Sequence, residues 1–318
     1  MNLMGAMLTY LVKRVCLVVP TILVVLVATF LLLRASGSPA DVLLDKNVTA
    51  ERRADFEHAL GLDRPMHVQV VDYFARLARG DMGTVYGSSG TSVAREIARR
   101  LPNTIKLAVA AMLIASAVGI AAGLLCAVRR NSVLDVTLRF ITFCFISTPV
   151  FWFGIMLIFV FAYLLGWLPA SGTGEEGWVA LVLPAVALGL RPAAFIARVT
   201  RSSMLDEMSK DYVRTARAKG LPEHTVVLRH VFRNIWIPLV TIIGGDLGSL
   251  LGGTMITETI FSVNGVGRFA VSSVLNRQYD AVMGVALLWA AIFVVVNLLI
   301  DVAYAFADPR IAFEGGAS

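Results

Sequence analysis

The stretch "VCLVVPTILVVLVATFLLL", Val15 to Leu33, carries no charge over its whole length. A helix of that length, at about 1.5 Å rise per residue, crosses a hydrocarbon core about 30 Å thick. A buried core helix can be as apolar, but it is rarely as long, so the run reads as a membrane span. Five similar runs follow. Leu107–Val128 and Phe140–Leu165 are uncharged, Trp178–Ala197 contains Arg191, Ile235–Ile256 contains Asp246, and Ala281–Ala307 contains Asp301. Backbone groups in lipid must be satisfied within the segment, and none of these runs shows the alternation of a barrel strand. The reading is therefore all-α with six spans. Composition agrees: of 318 residues, 57% are hydrophobic and 16% charged, too little charge to cover a soluble domain.

Basic residues in the short connections give the orientation. Arg129, Arg130 and Arg139 surround the second connection, and Arg198–Arg233 is rich in Lys and Arg. The short third connection, Gly166–Gly177, has two Glu and no base. Connections two and four, and both termini, are thus expected in the cytoplasm. Lys13 and Arg14 precede the first span as in a signal peptide, but the apolar run is too long for one, so a retained anchor is expected. Arg95, Arg99 and Arg100 sit on the predicted outer side, in a connection long enough to escape the rule. The net charge of +6 reflects the inner loops and implies no nucleic-acid partner. Cys16, Cys126 and Cys144 lie in or beside spans without a CxxC pair, which reads as packing rather than redox chemistry.

The only large segment outside the spans, Ser36–Arg100, contains "TAERRADFEHALGLDRPMHVQVVDYFARLARGDMG". Phe56 with Leu60, and Val70 with Tyr73, Phe74 and Leu77, predict two short amphipathic helices separated by "GLDRP", with Thr49 as a helix cap. His58 and His67 have no further ligands nearby, and no metal site is expected. Among catalytic and nucleotide-binding motifs, GxxxxGK[ST], HExxH and GxSxG are all missing, so the chain reads as a non-enzyme that binds no ATP itself.

A charged block, "KDYVRTARAKGLPEHTVVLRH" at Lys210–His230, interrupts the apolar pattern. On a helix Tyr212, Val213, Ala216 and Gly220 share one arc, with Arg214 and Arg217 beside and opposite it. Ala216 and Gly220 make a small-x-x-x-small pair that permits close approach of another surface. Lys219 and Gly220 supply a basic last turn and a stop, and Pro222 a break. A second helix is expected from Glu223, with Val227, Leu228, Val231 and Ile235 on one face, lying along the inner leaflet before the fifth span. A basic loop that merely fixes topology would explain the charges but not this pattern.

Asp211–Val240, "DYVRTARAKGLPEHTVVLRHVFRNIWIPLV", resembles the cytoplasmic coupling loop of peptide-type ABC importer permeases, the dipeptide, oligopeptide, nickel and glutathione group, and specifically the first of their two membrane subunits. "ALGLDRP" (59–65), "RGDMG" (79–83), "RLPNTIKLA" (100–108), "STPVFWFGIMLIFVFAYLLGWLPASG" (147–172), "LGGTMITETIFSVNGVGR" (251–268) and "DPR" (308–310) extend the resemblance over about 300 residues. It implies the type I importer permease fold, with six transmembrane helices and a large external segment after the first. The divisions are 1–34 (N-terminus and first helix), 35–101 (external segment), 102–310 (permease core, with a coupling loop at 198–234) and 311–318 (tail). It also implies half of a translocation pathway in a bacterial inner membrane. The expected partners are a homologous permease, two cytoplasmic ATPases that bind ATP and Mg, and an external binding protein that delivers dipeptides or short oligopeptides. Glutathione and nickel complexes are alternative cargoes. Tyr212, Arg214, Ala216, Arg217, Lys219 and Gly220 would then couple to an ATPase. The general importer motif has Glu where this chain has Arg214, as its subfamily does, and relatives usually have Pro where this chain has Asn264. A stand-alone channel or secondary carrier is the competing class, but no two-half repeat is visible.

Gly244, Gly248 and Gly252 recur every four residues in the fifth span and predict a close-packed, pathway-lining face. Glu258 is expected at its outer mouth, with Asn264, Gly265 and Gly267 forming a turn, which the resemblance implies is an outer gate and which a plain reading leaves a simple turn. Arg191 and Asp246 are costly within spans, about 3 kcal/mol each on insertion scales. They admit three readings: an ion pair, separate exposure to the pathway, or snorkelling.

Overall fold

The computed structural model describes residues 3–44, 48–86, 90–172 and 177–307, and describes side chains from residue 19 to residue 298 apart from Gly253. The side chains of Lys13, Arg14, Cys16 and Asp301, both Glu of the third connection, the "DPR" at 308–310 and the tail 311–318 lie outside the described residues. Regular structure among the described residues is helical, apart from one isolated bridge between Thr84 and Ser92.

Fifteen helices follow in chain order: α1 Leu3–Ala35, α2 Ala40–Leu43, α3 Ala50–Ala59, α4 Met66–Ala78, α5 Val93–Val128, α6 Val133–Ser147, α7 Val150–Leu157, α8 Val182–Met208, α9 Asp211–Ala218, α10 Glu223–Thr225, α11 Phe232–Asn234, α12 Trp236–Gly253, α13 Met255–Ile260, α14 Val266–Leu275 and α15 Tyr279–Ala307. Wide π-turns extend α7 over Ile158–Leu164 and join α10 to α11 over Val226–Val231. Among the described residues, three helices are long and apolar enough to cross a membrane: Val93–Val128, Val179–Met208 and Tyr279–Leu298. The count reaches five if each of two bent pairs is one span. One pair is Val133–Ser147 with Val150–Leu164, bent by 106°, and the other is Glu223–Asn234 with Trp236–Gly252, bent by 56°. The described residues thus give three, or up to five, of the six spans expected.

The first bend corrects the continuous run read at Phe140–Leu165. Thr148 precedes Pro149, and the proline ring excludes a helical conformation at the residue before it. Thr148 is accordingly extended (φ −85°, ψ 128°), and its hydroxyl donates to the Cys144 carbonyl at 2.8 Å, closing α6. Proline acts differently at Arg191-Pro192, where α8 runs through without a break. That helix also continues past Ala197 to Met208, so eleven residues read as loop belong to the helix that precedes it.

The chain divides into two compact units. One comprises Met1–Thr104 and Asn264–Val294, the other Ile105–Val263 and Val295–Ser318. In the first, Leu26, Phe30 and Leu33 of α1 pack with Tyr73 of α4 and with Tyr279 and Met283 of α15. The two expected amphipathic helices are α3 and α4. Thr49 caps α3 by accepting the Arg52 N–H at 3.4 Å, and Pro65 stands at the entrance to α4. Arg76 on α4 forms an ion pair with Asp280 at the start of α15 (3.2 Å).

The second unit is built on a close crossing of α5 and α8. A Cβ added at Gly119 would lie 2.6 Å from the Ala193 carbonyl oxygen, and one at Gly123 would lie 2.5 Å from that of Ala197. On α8, a Cβ at Gly189 would lie 2.6 Å from the Ala111 carbonyl oxygen. Backbone thus meets backbone, the arrangement that small residues four apart allow where lipid offers no hydrophobic drive for association.

Candidate coupling site and pathway residues

Helix α9 starts at Lys210, which is extended (ψ 151°), with Asp211 in the first turn and Arg217 in the last. Both charges suit the helix dipole. Its end is a Schellman turn: the Gly220 N–H donates to the Arg217 carbonyl (2.9 Å) and the Leu221 N–H to that of Ala216 (3.4 Å). Gly220 adopts φ +76°, and nothing lies within 4 Å of where its Cβ would be. The position needs glycine for its backbone conformation, not for space. Arg217 closes the turn from outside, with Nη2 and Nε donating to Glu223 at 2.7 and 3.1 Å.

The small-residue arc does not present itself to a second surface. Val213 and Ala216 are buried within this chain's own core, at 0% and 6% exposure, beside Val226, Val231 and Ile235. Arg214, Arg217, Lys219 and Gly220 are exposed and form the outward arc, and Tyr212 lies at its edge. The face available to a partner is thus the basic one. In the following segment Val226, Val227, Val231 and Ile235 are buried, whereas Leu228 is 54% exposed. The wider π-turn spaces inward positions four to five residues apart, which moves Leu228 off the face that α-helical spacing gave it.

One buried carboxylate ties α9 down. Glu207, near the end of α8 and 8% exposed, accepts the Tyr212 hydroxyl at 2.8 Å and the Asn234 amide at 3.1 Å, and pairs with Lys210. The Asn234 amide also reaches the Tyr212 oxygen at 3.0 Å. Burial first, then the hydrogen bond to Glu207, hold the Tyr212 phenol above its ordinary pKa, so it remains a donor at neutral pH. The ends of α8, α9 and α11 are joined in one network, and α11 leads directly into α12. Glu207 was missed in the sequence because it was read as part of a basic loop. A second buried carboxylate, Asp135 (0% exposed), accepts Nε and Nη2 of Arg201 at 2.8 and 2.9 Å and the Asn131 N–H at 3.0 Å, fastening α6 to α8.

Gly220 gives a graded prediction. Gly220→Asn is expected to cost only a few tenths of a kcal/mol, because Asn tolerates the left-handed region, whereas Gly220→Val should cost about 1–2 kcal/mol and fray the end of α9. Protease sensitivity at 217–223 would read the difference, and equal protection in both variants would refute it.

The glycines of α12 divide. A Cβ at Gly248 would lie 2.7 Å from Cγ1 of Val296, so this position packs against α15, whereas Gly252 has open space around it, as does Gly245. Gly244 is half-buried. Arg191 is exposed and Asp246 half-buried, and no hydrogen bond or ion pair within 4 Å joins them. The Asp246 Oδ2 is buried without a hydrogen-bond partner. Glu258, in α13 of the second unit, is fully buried. Asn264, Gly265 and Gly267 belong to the first unit. There the Asn264 side-chain oxygen accepts from Arg100 (2.8 Å), its carbonyl accepts from Asn103 (2.9 Å), and the Val266 N–H donates to Thr104 (2.9 Å). Gly265 is extended (φ −108°), and Gly267 is buried inside α14. The left-handed residue of this stretch is Ser262 (φ 53°), so the turn does not rest on the two glycines.

A multi-pass α-helical membrane chain with a basic helix pinned between two of its long segments is the architecture of a transporter's membrane subunit. Residues 119–313 match the family described as binding-protein-dependent transport system inner membrane component, and residues 7–108 match the N-terminal membrane component of the same systems. The chain is 38% identical to the di/tripeptide transport system permease protein DppB of Pseudomonas aeruginosa, over 97% of this chain and all of that one. It is 40% identical to the glutathione transport system permease protein GsiC of Salmonella choleraesuis (97% and 100% covered). To the oligopeptide transport system permease protein AppB of Bacillus subtilis the identity is 35% (96% and 100%). An inward-facing structure of the MetNI methionine ABC transporter shares the fold, with a TM-score of 0.53 at 18% identity, covering 68% of this chain and 94% of that one. The chain belongs to the binding-protein-dependent ABC importer permeases, in the branch of the peptide, oligopeptide and glutathione permeases, and it is a permease subunit of such an importer.

Proposed function

We propose that this chain forms half of the pathway for dipeptides or short oligopeptides in a bacterial inner membrane, with α9 as its lever on a cytoplasmic ATPase. The carrying observation is the pinned basic helix: a rigid outward arc, held through Glu207, Tyr212 and Asn234 to α8 and to the entry of α12. Motion imposed on such a helix passes to α12 without first being absorbed by a loop. The basic connections support a reading with α9 and both termini inside, and with α1, at 33 residues, as the sixth span. The residues 35–101 are then external. A homologous permease, two ATPases carrying ATP and Mg, and an external binding protein complete the assembly. Peptide cargo rests on the names of the relatives, which also support glutathione. Reconstitution with the partner subunits tests the reading. ATP-driven uptake of a labelled dipeptide is expected, and uptake of glutathione alone would reassign the cargo.

Asp246 and Arg191 are read as separate pathway residues. The open position Gly245 adjoins Asp246 on α12, and the Asp246 Oδ2, buried without a partner, would gain one from the amino end of a peptide that reaches it. Arg191→Ala and Asp246→Ala should each lower uptake, about tenfold if a charged hydrogen bond is lost. A double variant much better than the sum of the singles would restore the ion-pair reading.

A further inference from the structure

The first unit contains a cavity of about 530 Å³ bounded by the outer part of α1, by α3, α4 and the turn between them, by Thr84 and Tyr86, and by the start of α15. Its size lies within the range of about 300–1,000 Å³ usual for small-molecule sites. Three arginines (Arg64, Arg76, Arg79) and two aspartates (Asp72, Asp280) line it. Two of the arginines are already matched: Arg64 pairs with Asp72 at 2.9 Å and Arg76 with Asp280 at 3.2 Å. Arg79 has no carboxylate partner among the described residues, so the wall carries one cation in excess. Phe30 and Met283 give the cavity an apolar floor shared with the core of the unit.

A further polar group is waiting in this wall. Tyr73 lines the cavity and is only 4% exposed, yet its buried hydroxyl has no hydrogen-bond partner. A hydroxyl buried without a partner is destabilised, and a ligand accepting the bond would relieve it. Burial pushes the phenol up to about 12, so it keeps its proton at neutral pH and can donate it in a hydrogen bond. A neutral apolar ligand would leave both Arg79 and Tyr73 unsatisfied, and a cation would meet the excess positive charge.

We propose that this cavity is a binding site for a small molecule with a carboxylate and an apolar body. The carboxylate is taken by Arg79 with the Tyr73 hydroxyl, and the apolar part by Phe30 and Met283. The inference rests on the charges and dimensions of the cavity alone and stands apart from the coupling role of α9.

The probe is the dipeptide Ala-Phe, titrated by calorimetry against the full-length chain in lipid nanodiscs without any external binding protein. Saturable binding in the millimolar range or tighter is expected. Loss of a charged hydrogen bond makes binding about ten- to a hundredfold weaker, so Arg79→Ala should weaken it by at least tenfold. Tyr73→Phe, which leaves the packing intact, should weaken it severalfold, an effect that a merely structural tyrosine would not produce. Ala-Phe amide, which lacks the carboxylate, should not compete. Absence of saturable binding, an unchanged affinity in both variants, or competition by the amide would each overturn the proposal.

Discussion

Replacing Gly123 by alanine is expected to lower the stability of the folded chain sharply, although only one methyl group is added. The new Cβ would lie 2.5 Å from the Ala197 carbonyl oxygen and equally close to Cβ of Thr200. Neither atom is the far end of a flexible side chain, so α5 and α8 must separate. Separation would also undo the neighbouring contact at Gly119, 2.6 Å from the Ala193 carbonyl oxygen. Overpacking of cores costs about 1–3 kcal/mol, and this site belongs at or above the top of that range because backbone is what must move. Gly245→Ala provides the contrast, since nothing lies within 4 Å of its added Cβ. Thermal aggregation of the detergent-solubilised protein should shift by several degrees for Gly123→Ala and hardly at all for Gly245→Ala. Equal shifts would show that the α5–α8 crossing is not held as described.

The other large effect is expected at Asp135. Its carboxylate is fully buried and receives both nitrogens of the Arg201 fork, the Asn131 N–H and, at 3.3 Å, Arg139. Removing one member of a buried pair leaves an uncompensated charge and costs about 3–5 kcal/mol, more than the net worth of the pair. Asp135→Ala should therefore deplete folded protein in the membrane, and Arg201→Ala should do so as well. A double variant, Asp135→Leu with Arg201→Met, removes both charges and fills their volume, and it should recover most of the loss. The cycle is read from the stability of the purified chain. Additive losses would mean that the two residues act independently.

Most of the helices were legible because their physical cause is local. Nineteen uncharged residues at 15–33 specify a helix whatever packs around it, and the spacing of Phe56, Leu60, Val70, Tyr73 and Leu77 with "GLDRP" between them marked α3 and α4 as two pieces. What escaped depends on partners distant in sequence. The extension of α8 to Met208 was read as loop because Arg201 and Glu207 are charged, and only the structure shows each bonded to a group elsewhere in the chain. Nothing in the sequence singles out Asp135, since its partner lies sixty-six residues away. The break at Thr148-Pro149 had a visible signal in the proline, which the apolar continuity of Phe140–Leu165 outweighed.

At the candidate site the same division holds. The Lys219-Gly220-Pro222 stop was readable, and α9 ends there in a left-handed glycine. Which face points outward was not readable, because a small-residue arc serves equally well against a partner or against the chain's own core. Ala216 went to the core. The glycine ladder in α12 had the same ambiguity, with Gly248 packed and Gly252 open. The pair that marks the closest helix crossing, Gly119 and Gly123, stood in the sequence as "GIAAG" and carried no distinguishing sign among 26 glycines.

The central claim is that the basic arc of α9 engages an ATPase while its apolar arc holds to this chain. Site-directed crosslinking tests it most directly. In a background with Cys16, Cys126 and Cys144 replaced by alanine, single cysteines are introduced at exposed Arg214 and at buried Val213, and the membrane complex is treated with a short bifunctional thiol reagent. The account predicts an ATP-sensitive crosslink from position 214 to the ATPase subunit and none from position 213. A crosslink from 213 but not from 214, or none from either position in a complex that still imports its cargo, would contradict it.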